Sequence, residues 1–476
     1  MRLRPDPVDA PAAPAQRLPD RWIFALLLVL LLWLPLPWGS KPEAAVALFG
    51  FVIATLCAAR IALFCLSPPA GRGRAEGAGE GRLTGAARLA LGVWLAWLLW
   101  CAVHVATFSI LPGATLDQLI LGANYLALFW LTLVSVARNR ARQRLVLTVL
   151  VFSGLAQALY GAVMTLSGIE YGFLEPKTHG VGWATGTFVN RNHFAGYLEL
   201  ALAAGIALVL ADLRSGAPLN WRQALAGLID LLLSPRMRTR VMIAVMVIAL
   251  VLTRSRMGNV AFFVALALCG NLYILLRHPK YLVKSLLFFA SLVLVDLLIV
   301  SEQYGLEKVA QRIEQTDLAT EQRTLVFRDL VPVIGQYWVT GSGPGTFAAA
   351  YSPHRSADIH RYFDHAHNDY AEFLIEDGVV GSALIALLAG TTLVHGFLVM
   401  RRRRDPMAGA LAFAGTMGLV ALGIHGLADF NLRIPAVAAT LVTLMALTLS
   451  CSSRSRSGEA VILSEAKNLP SDRSAA

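Results

Sequence analysis

The chain has 476 residues, of which 56% are hydrophobic and only 15% are charged, with a mean hydropathy of +0.60. A soluble domain carries about 25% charged residues, so this composition excludes an ordinary soluble protein and indicates a polytopic membrane protein. The net charge of +11 follows the loops between apolar runs, which argues against a nucleic-acid-binding surface.

Apolar runs long enough to form membrane-spanning segments recur along the whole chain. Lipid-exposed spans must satisfy their backbone groups internally, and runs of this length favour helices over barrel strands. The predicted fold class is therefore an all-α polytopic membrane protein with about 12 transmembrane helices. The runs are 22–38, 43–66, 84–106, 117–137, 144–167, 192–212, 239–253, 258–276, 283–300, 369–399, 407–427 and 433–450.

The predicted organisation consists of two polar tails, two groups of spans and one extended hydrophilic insertion. Residues 1–21 and 451–476 are the tails, residues 22–300 hold helices 1–9, and residues 369–450 hold helices 10–12. The insertion, 301–368, is predicted to be one large loop on the side of the membrane opposite to the N-terminus, and loops this long inside compact domains are usually functional.

The distribution of basic residues predicts the orientation. With the N-terminus in the cytoplasm, clusters at 138–144, 236–240 and 401–404 fall on the cytoplasmic side, so both termini are cytoplasmic by the positive-inside rule. Cations on the opposite side, called the far side here, are exceptions to this rule and therefore candidates for a functional role. They are Lys41, Lys177, Arg191, Arg254, Arg256 and Arg433.

The first candidate site residues open the sixth span, where Asn190, Arg191, Asn192 and His193 are consecutive. Helix capping explains one asparagine but not four polar side chains. The next candidates follow the run 241–253, whose thirteen residues make about 20 Å of helix against a hydrocarbon core of about 30 Å.

Arg254 and Arg256 come directly after that short run, so they are predicted to lie at or below the membrane surface. A guanidinium there needs an anion, which leaves two interpretations: snorkelling to lipid phosphate, or binding a phosphate or pyrophosphate of a substrate. Arg323 and Arg328 add two cations in the large loop, and Gly341–Gly345 is predicted to be a tight turn.

His367 is the candidate general base. It directly precedes Asn368 and Asp369, either of which suits the N-cap of the tenth helix, and neutral imidazole is the base that proteins use near pH 7. A purely structural capping role and a metal site formed with His365 stay open as alternatives. His425 and Asp429, in the short connection between the last two spans, are predicted to lie close to His367.

These segments resemble the O-antigen ligase and polymerase superfamily of bacterial envelope glycosyltransferases. The family signature is H-[NSQ], nine residues, then G-x-x-[GTY], and His367-Asn368 followed after nine residues by Gly378-Val379-Val380-Gly381 fits it without a gap. The segments TRSR at 253–256 and GTFVNRNHFA at 186–195 also look like family blocks. The likeness covers roughly residues 180–435.

The resemblance implies a C-type membrane glycosyltransferase fold in the bacterial inner membrane, with the active site periplasmic. It implies that His367 is the base and that Arg256, Arg323 and Arg191 bind the donor pyrophosphate, without metal or cofactor. Supporting candidates are Arg254, Arg328, Asn190, Asn192, His193, His365, Asn368 and Asp429.

The expected donor is a glycan on undecaprenyl pyrophosphate drawn from the membrane lipid, and the acceptor decides between several activities. Transfer to lipid A–core makes a ligase, transfer to another lipid-linked glycan makes a polymerase, and transfer to a protein hydroxyl makes an oligosaccharyltransferase. A transporter of lipid-linked sugar is the alternative from another class. It predicts two related halves with broken helices, and no internal repeat of that kind is visible in the sequence.

Overall fold

A computed structural model describes residues 14–65, 83–137, 139–178, 180–212, 235–288, 290–291, 326, 328–357, 359 and 363–452. Within these ranges almost all regular structure is helical, and the one sheet is a two-stranded hairpin, β1 (Tyr171–Gly172) and β2 (Glu175–Pro176). The predicted all-α polytopic class is confirmed, with eight helices long and apolar enough to cross a membrane in the described part of the chain.

Apart from one short helix at Phe347–Tyr351, which lies inside the predicted loop 301–368, the helices follow predicted apolar runs in order. They are α1 (Pro14–Trp33), α2 (Glu43–Cys65), α3 (Gly85–Ala106), α4 (Pro112–Val136), α5 (Arg140–Ser167), α6 (Arg191–Ala211), α7 (Pro235–Leu252), α8 (Arg256–Arg277), α9 (Phe347–Tyr351), α10 (Asp369–Arg402), α11 (Pro406–His425) and α12 (Pro435–Leu449). α1 begins inside the segment that composition assigns to the polar tail. Most of the ninth predicted run and of the loop 301–368 lies outside the described residues.

Two helices form the centre of the bundle. In α6 and in α11, 78% of the apolar stretch is buried, against 17% in α2, which therefore lies at the periphery. Small residues allow the close approach: a Cβ on Gly418 of α11 would lie 2.9 Å from a methyl group of Leu200 in α6. The polar ends of these two helices are thus enclosed by other elements on several sides.

One end of the bundle collects the segments that carry the candidate residues, and it is called the site end here. α6, α8, α10 and α12 begin there, and α11 ends there. At the opposite end, Arg60 and Arg142 pair with Asp20, Arg140 pairs with Asp405, and Arg144 pairs with Asp212 at 2.7 Å. The basic clusters of the sequence are therefore concentrated away from the site end.

The glycines of the sequence motif have a structural reason. α10 is interrupted at Gly378, where φ is 63° and ψ is −172°. The backbone of the preceding loop inserts at this break: Val379 donates to the carbonyl of Trp338 at 2.7 Å, and Ser342 donates to that of Ile375 at 2.8 Å. A Cβ on Gly378 would lie 2.6 Å from the carbonyl oxygen of Val339, so only glycine fits.

The predicted tight turn at 341–345 is confirmed. Gly341, Gly343 and Gly345 all have positive φ, at 87°, 107° and 82°. The turn packs between the break in α10 and the connection from α3 to α4, where Ile110 donates to the carbonyl of Ser342 at 2.9 Å. It therefore joins the described part of the large loop to the membrane helices.

Candidate active site

His367 lies at the site end, immediately before α10, in a conformation that is unusual for a residue with a side chain. Its φ is 49°, in the left-handed region, and such conformations persist only where the surroundings hold them. Asn368 caps α10 as predicted, accepting from the amide of Ala371 at 3.0 Å, and its own amide donates to the carbonyl of Leu427. Asp369 donates its backbone N–H to the carbonyl of Gly426.

These bonds fix His367 against the connection between α11 and α12, which carries Asp429. Nδ1 of His367 is 3.4 Å from Oδ1 of Asp429. The carboxylate of Asp429 is 1% exposed, whereas the side chain of His367 is 22% exposed. The carboxylate side of the pair is therefore buried, and the imidazole side is open to solvent. At this distance the carboxylate interacts electrostatically with the imidazole, and a pair of this kind can serve in proton transfer.

The backbone N–H of Phe430 donates to Oδ1 of Asp429 at 2.9 Å, and two further partners come from the start of α6. The amide of Asn192 donates to its second carboxylate oxygen, and Nε2 of His193 lies 3.7 Å from the first. Burial alone would raise the pKa of the Asp429 carboxyl, but the imidazoles of His193 and His367 hold that pKa well below its usual value. The carboxylate form of Asp429 is thus favoured, and it lies between two imidazoles.

The four polar residues 190–193 at the start of α6 have different roles, and only one of them caps the helix, as predicted. Asn190 is the N-cap, accepting from the amide of Asn192 at 2.8 Å. Asn192 and His193 face Asp429, so capping accounts for one of the four side chains and the contacts with Asp429 account for two. The guanidinium of Arg191 lies over the ring of Trp183, 3.7 Å from its centroid.

The ring of Phe430 connects the three histidines of the site. It stacks on His365 with centroids 4.1 Å apart, and it meets His193 and His367 edge to face at 4.6 Å and 4.9 Å. Phe430 was not predicted as a site residue, because an aromatic residue next to an apolar span gives no signal of its own.

His365 is directed away from His367 and toward the helix. Its Nδ1 is 2.8 Å from Oε1 of Glu372, and the other carboxylate oxygen accepts from the backbone of Ala366. The two imidazoles of the HxH pair therefore face different carboxylates, Glu372 and Asp429. In the described ranges, no group of three or more His, Cys, Asp and Glu side chains has the arrangement of a metal site.

A buried ionic cluster of Arg433, Glu372 and Glu376 lies next to the histidines and was not predicted from the sequence. Arg433, 10% exposed, pairs with Glu372 at 3.0 Å and with Glu376. Burial alone would lower the pKa of Arg433, but the surrounding carboxylates raise it. Because Glu372 holds the backbone of Ala366, the cluster supports the loop that presents His367. The only signal in the sequence was that Arg433 is a far-side cation.

An apolar cavity of about 190 Å³ lies beside this cluster, between α3, α4, α10 and α12. Its lining includes Arg433, Trp97 and Tyr125, but neither His367 nor Asp429. The pair of His367 and Asp429 therefore lies outside this apolar cavity.

The remaining predicted cations lie on other segments. Arg254 lies in the turn between α7 and α8, Arg256 is the first residue of α8, and both side chains are exposed. That turn is next to the segment carrying Trp183, since Ala184 donates to the carbonyl of Leu252 at 3.0 Å. Gly258, in the first turn of α8, packs against α6 and the end of α11.

Two further arginines were predicted in the large loop. Arg328 is exposed and interacts within the loop, with Asp329 and Ser356. Arg323 lies outside the described residues. Three predicted cations, Arg191, Arg254 and Arg256, therefore share the site end with His367.

One prediction about the last connection needs correction. His425 is not in the loop but is the last residue of α11, fully buried, with Nδ1 2.7 Å from Oε1 of Glu199 in α6. Its partner, Glu199, lies in α6, one of the two central helices. The spacing of residues in the sequence could not reveal this contact. Asp429 alone fulfils the expectation of a neighbour for His367.

The fold and the site together define a polytopic helical membrane protein with a histidine–aspartate pair at one end of the bundle. Residues 241–386 match the family model described as O-antigen ligase. The match includes α8, the large loop, His367 and the broken part of α10, and it supports assignment of the chain to the O-antigen ligase superfamily. A search of curated proteins gave no match.

Proposed function

We propose that this protein is an O-antigen ligase-like glycosyltransferase. It moves a glycan from undecaprenyl pyrophosphate to a hydroxyl group of lipid A–core, on the periplasmic side of the inner membrane. The observation that carries the proposal is the pair of His367 and Asp429, 3.4 Å apart and open on one side, with His367 inside the segment that matches the ligase family. The family match itself supports ligase or polymerase chemistry in general.

The chemistry assigned to His367 is general-base catalysis. Because Nδ1 faces Asp429, Nε2 is the nitrogen that takes the proton from the acceptor hydroxyl. The acceptor oxygen then forms a bond to the anomeric carbon, while the bond from that carbon to the pyrophosphate oxygen breaks. Attack opposite to the leaving group inverts the configuration. Asp429 stabilises the imidazolium that forms.

The arginines are assigned to the leaving group. Arg191, Arg256 and Arg323 neutralise the pyrophosphate, with Arg254 and Arg328 as supporting candidates, because a guanidinium binds phosphate oxygens in a bidentate manner. The contact of Arg191 with Trp183, and the proximity of the Trp183 segment to the α7–α8 turn, support a common cationic surface. These cations stabilise the developing negative charge without a metal or cofactor.

The orientation follows from charge. The end opposite to the site carries Arg60, Arg140, Arg142 and Arg144 together with the basic cluster 401–404, as expected of a cytoplasmic surface. The site end is then periplasmic, where nucleotide-activated sugars are absent and a lipid pyrophosphate donor carries its own driving force.

The test is a reconstituted transfer reaction. Purified protein is incubated with undecaprenyl-pyrophosphate glycan and lipid A–core, without nucleotide, and the products are resolved by mass. Glycan joined to lipid A–core supports the ligase. Longer glycans still on undecaprenyl pyrophosphate would replace it with a polymerase. Movement of the donor across proteoliposomes without any glycosidic product would replace it with a transporter.

A further inference from the structure

A lysine from the first connection of the chain lies beside the histidine cluster. Nζ of Lys41 is 6.0 Å from the centroid of the Phe430 ring, the same ring that contacts His193, His365 and His367. Lys41 lies between α1 and α2, far outside the segment that matches the ligase family. In the sequence, Lys41 is distinguished only as a cation on the predicted non-cytoplasmic side.

The turn that presents Lys41 is held in an unfavourable backbone conformation. Trp38, Gly39 and Ser40 have φ values of 51°, 70° and 59°, so two residues with side chains adopt the left-handed region in one turn. L-residues avoid this region because Cβ approaches the carbonyl oxygen, and the strain persists only when the surroundings fix it.

The surroundings of this turn do fix it. Ser40 is fully buried and its hydroxyl donates to the carbonyl of Leu34 at 2.6 Å. The hydroxyl of Thr187 donates to the carbonyl of Pro35 at 2.6 Å. A Cβ on Gly39 would lie 2.7 Å from the ring of Phe188, so the turn packs closely against the segment that leads into α6. Lys41 is therefore placed by a rigid support.

The ion pair of Lys41 does not explain this placement. Its Nζ is 3.7 Å from Oδ2 of Asp364, and the two side chains are 47% and 51% exposed. Exposed pairs of this kind contribute little to stability, and many contribute nothing measurable. A strained, well-supported turn would be an unusual means of forming such a weak contact. The half-exposed ammonium group is instead available to an incoming anion.

We propose that Lys41 binds a phosphate group of one of the two glycolipid substrates beside His367. The proposal rests on the proposed transferase function and adds a residue that the family segment does not contain. An ammonium group binds phosphate as a point charge with three donors. Two sources supply such a group: the pyrophosphate of the donor and a phosphorylated acceptor. The experiment separates them.

The first measurement uses full-length Lys41→Met and Lys41→Arg proteins. In Lys41→Met, KM rises about tenfold to a hundredfold for the substrate whose phosphate is bound, with kcat changed less, because one charge-assisted hydrogen bond is lost. A rise for the donor alone assigns the pyrophosphate, and a rise for the acceptor alone assigns the acceptor. Lys41→Arg keeps the charge and retains most of the affinity. Unchanged KM values for both substrates in Lys41→Met overturn the proposal.

Asp364→Asn is the matched control, because it removes the ion pair but leaves the ammonium group. Binding of substrate by Lys41 predicts KM values for Asp364→Asn close to wild type. If Asp364→Asn reproduces the defect of Lys41→Met, the ion pair is what matters and the proposal is wrong.

A second measurement keeps the wild-type chain, so that it does not depend on the folding of a variant. Lysine acylation is followed by peptide mass spectrometry with donor or acceptor present, and exposed Lys280 near the opposite end serves as the internal reference. Protection of Lys41 but not Lys280 by one glycolipid supports the proposal, and equal labelling with and without both contradicts it. This result is independent of transfer. A chain that forms no product but shows protection would refute the transferase and retain the binding site.

Discussion

Asp429→Asn isolates the electrostatic role of the carboxylate, because the amide has nearly the same shape. At the 3.4 Å between Nδ1 of His367 and Oδ1 of Asp429, a full ion pair at an effective dielectric constant of about 20 is worth about 5 kcal/mol. If about half of the proton's charge has reached the imidazole in the transition state, the variant loses about 2.5 kcal/mol of stabilisation. That loss lowers kcat about 70-fold.

The assay is transfer of glycan to the acceptor at saturating concentrations of both substrates, with wild type, Asp429→Asn and Asp364→Asn at equal protein amounts. Asp364 lies 4.0 Å from His365 and has no contact with His367 among the described residues, so its variant controls for a loss of charge near the site. KM for the donor should change little in Asp429→Asn. A kcat within twofold of wild type would refute the reasoning, and so would a defect confined to KM.

Three further predictions concern the scaffold. Gly378→Ala should lower the free energy of unfolding by about 2 kcal/mol or more, because of the positive φ and the close carbonyl oxygen of Val339. Gly390→Ala in the same helix is the control: its new Cβ meets nothing within 4 Å, so it should be neutral or stabilising. Thermal unfolding in detergent compares the two variants. Arg433→Met leaves buried carboxylates unpaired and should cost about 3–5 kcal/mol, seen as lost folded protein in size-exclusion chromatography. Asp405→Ala removes the N-cap of α11, at a cost of about 1 kcal/mol at neutral pH. Burial raises the pKa of Asp405, but the hydrogen bond and charge of Arg140 lower it further, so the native pKa is below the usual 3.8. The difference in unfolding free energy between Asp405→Ala and wild type should therefore persist above pH 3.8. It should vanish as the pH falls through the lower native pKa. A constant difference across acid pH would contradict that assignment.

Local patterns predicted the features that depend on neighbouring residues. Asn368 and Asn190 cap helices where their sequence positions suggested, and the glycines at 341–345 form the expected turn, because capping and positive φ are decided within a few residues. The apolar runs predicted the helices for the same reason. Hydrophobic length is a local property, and the structure adds only the position of each helix end.

Features that depend on distant pairings could not be predicted in the same way. Arg433 and Lys41 were recognised only as far-side cations, since their partners are residues tens or hundreds of positions away. His425 was expected near His367 but is bound to Glu199, because helix packing and not loop position decides which groups meet. The break of α10 at Gly378 is also a tertiary feature, created by the loop backbone that inserts there.

In the proposed mechanism, His367 removes the acceptor proton while other residues bind the donor. The most direct measurement compares wild type and His367→Gln for both glycan transfer and binding of undecaprenyl-pyrophosphate glycan, with a chelator present and no nucleotide. In His367→Gln we expect transfer to fall by about 10²–10⁴-fold while the affinity for the donor stays nearly unchanged. Transfer at the wild-type rate in His367→Gln, at normal abundance of folded protein, would contradict it.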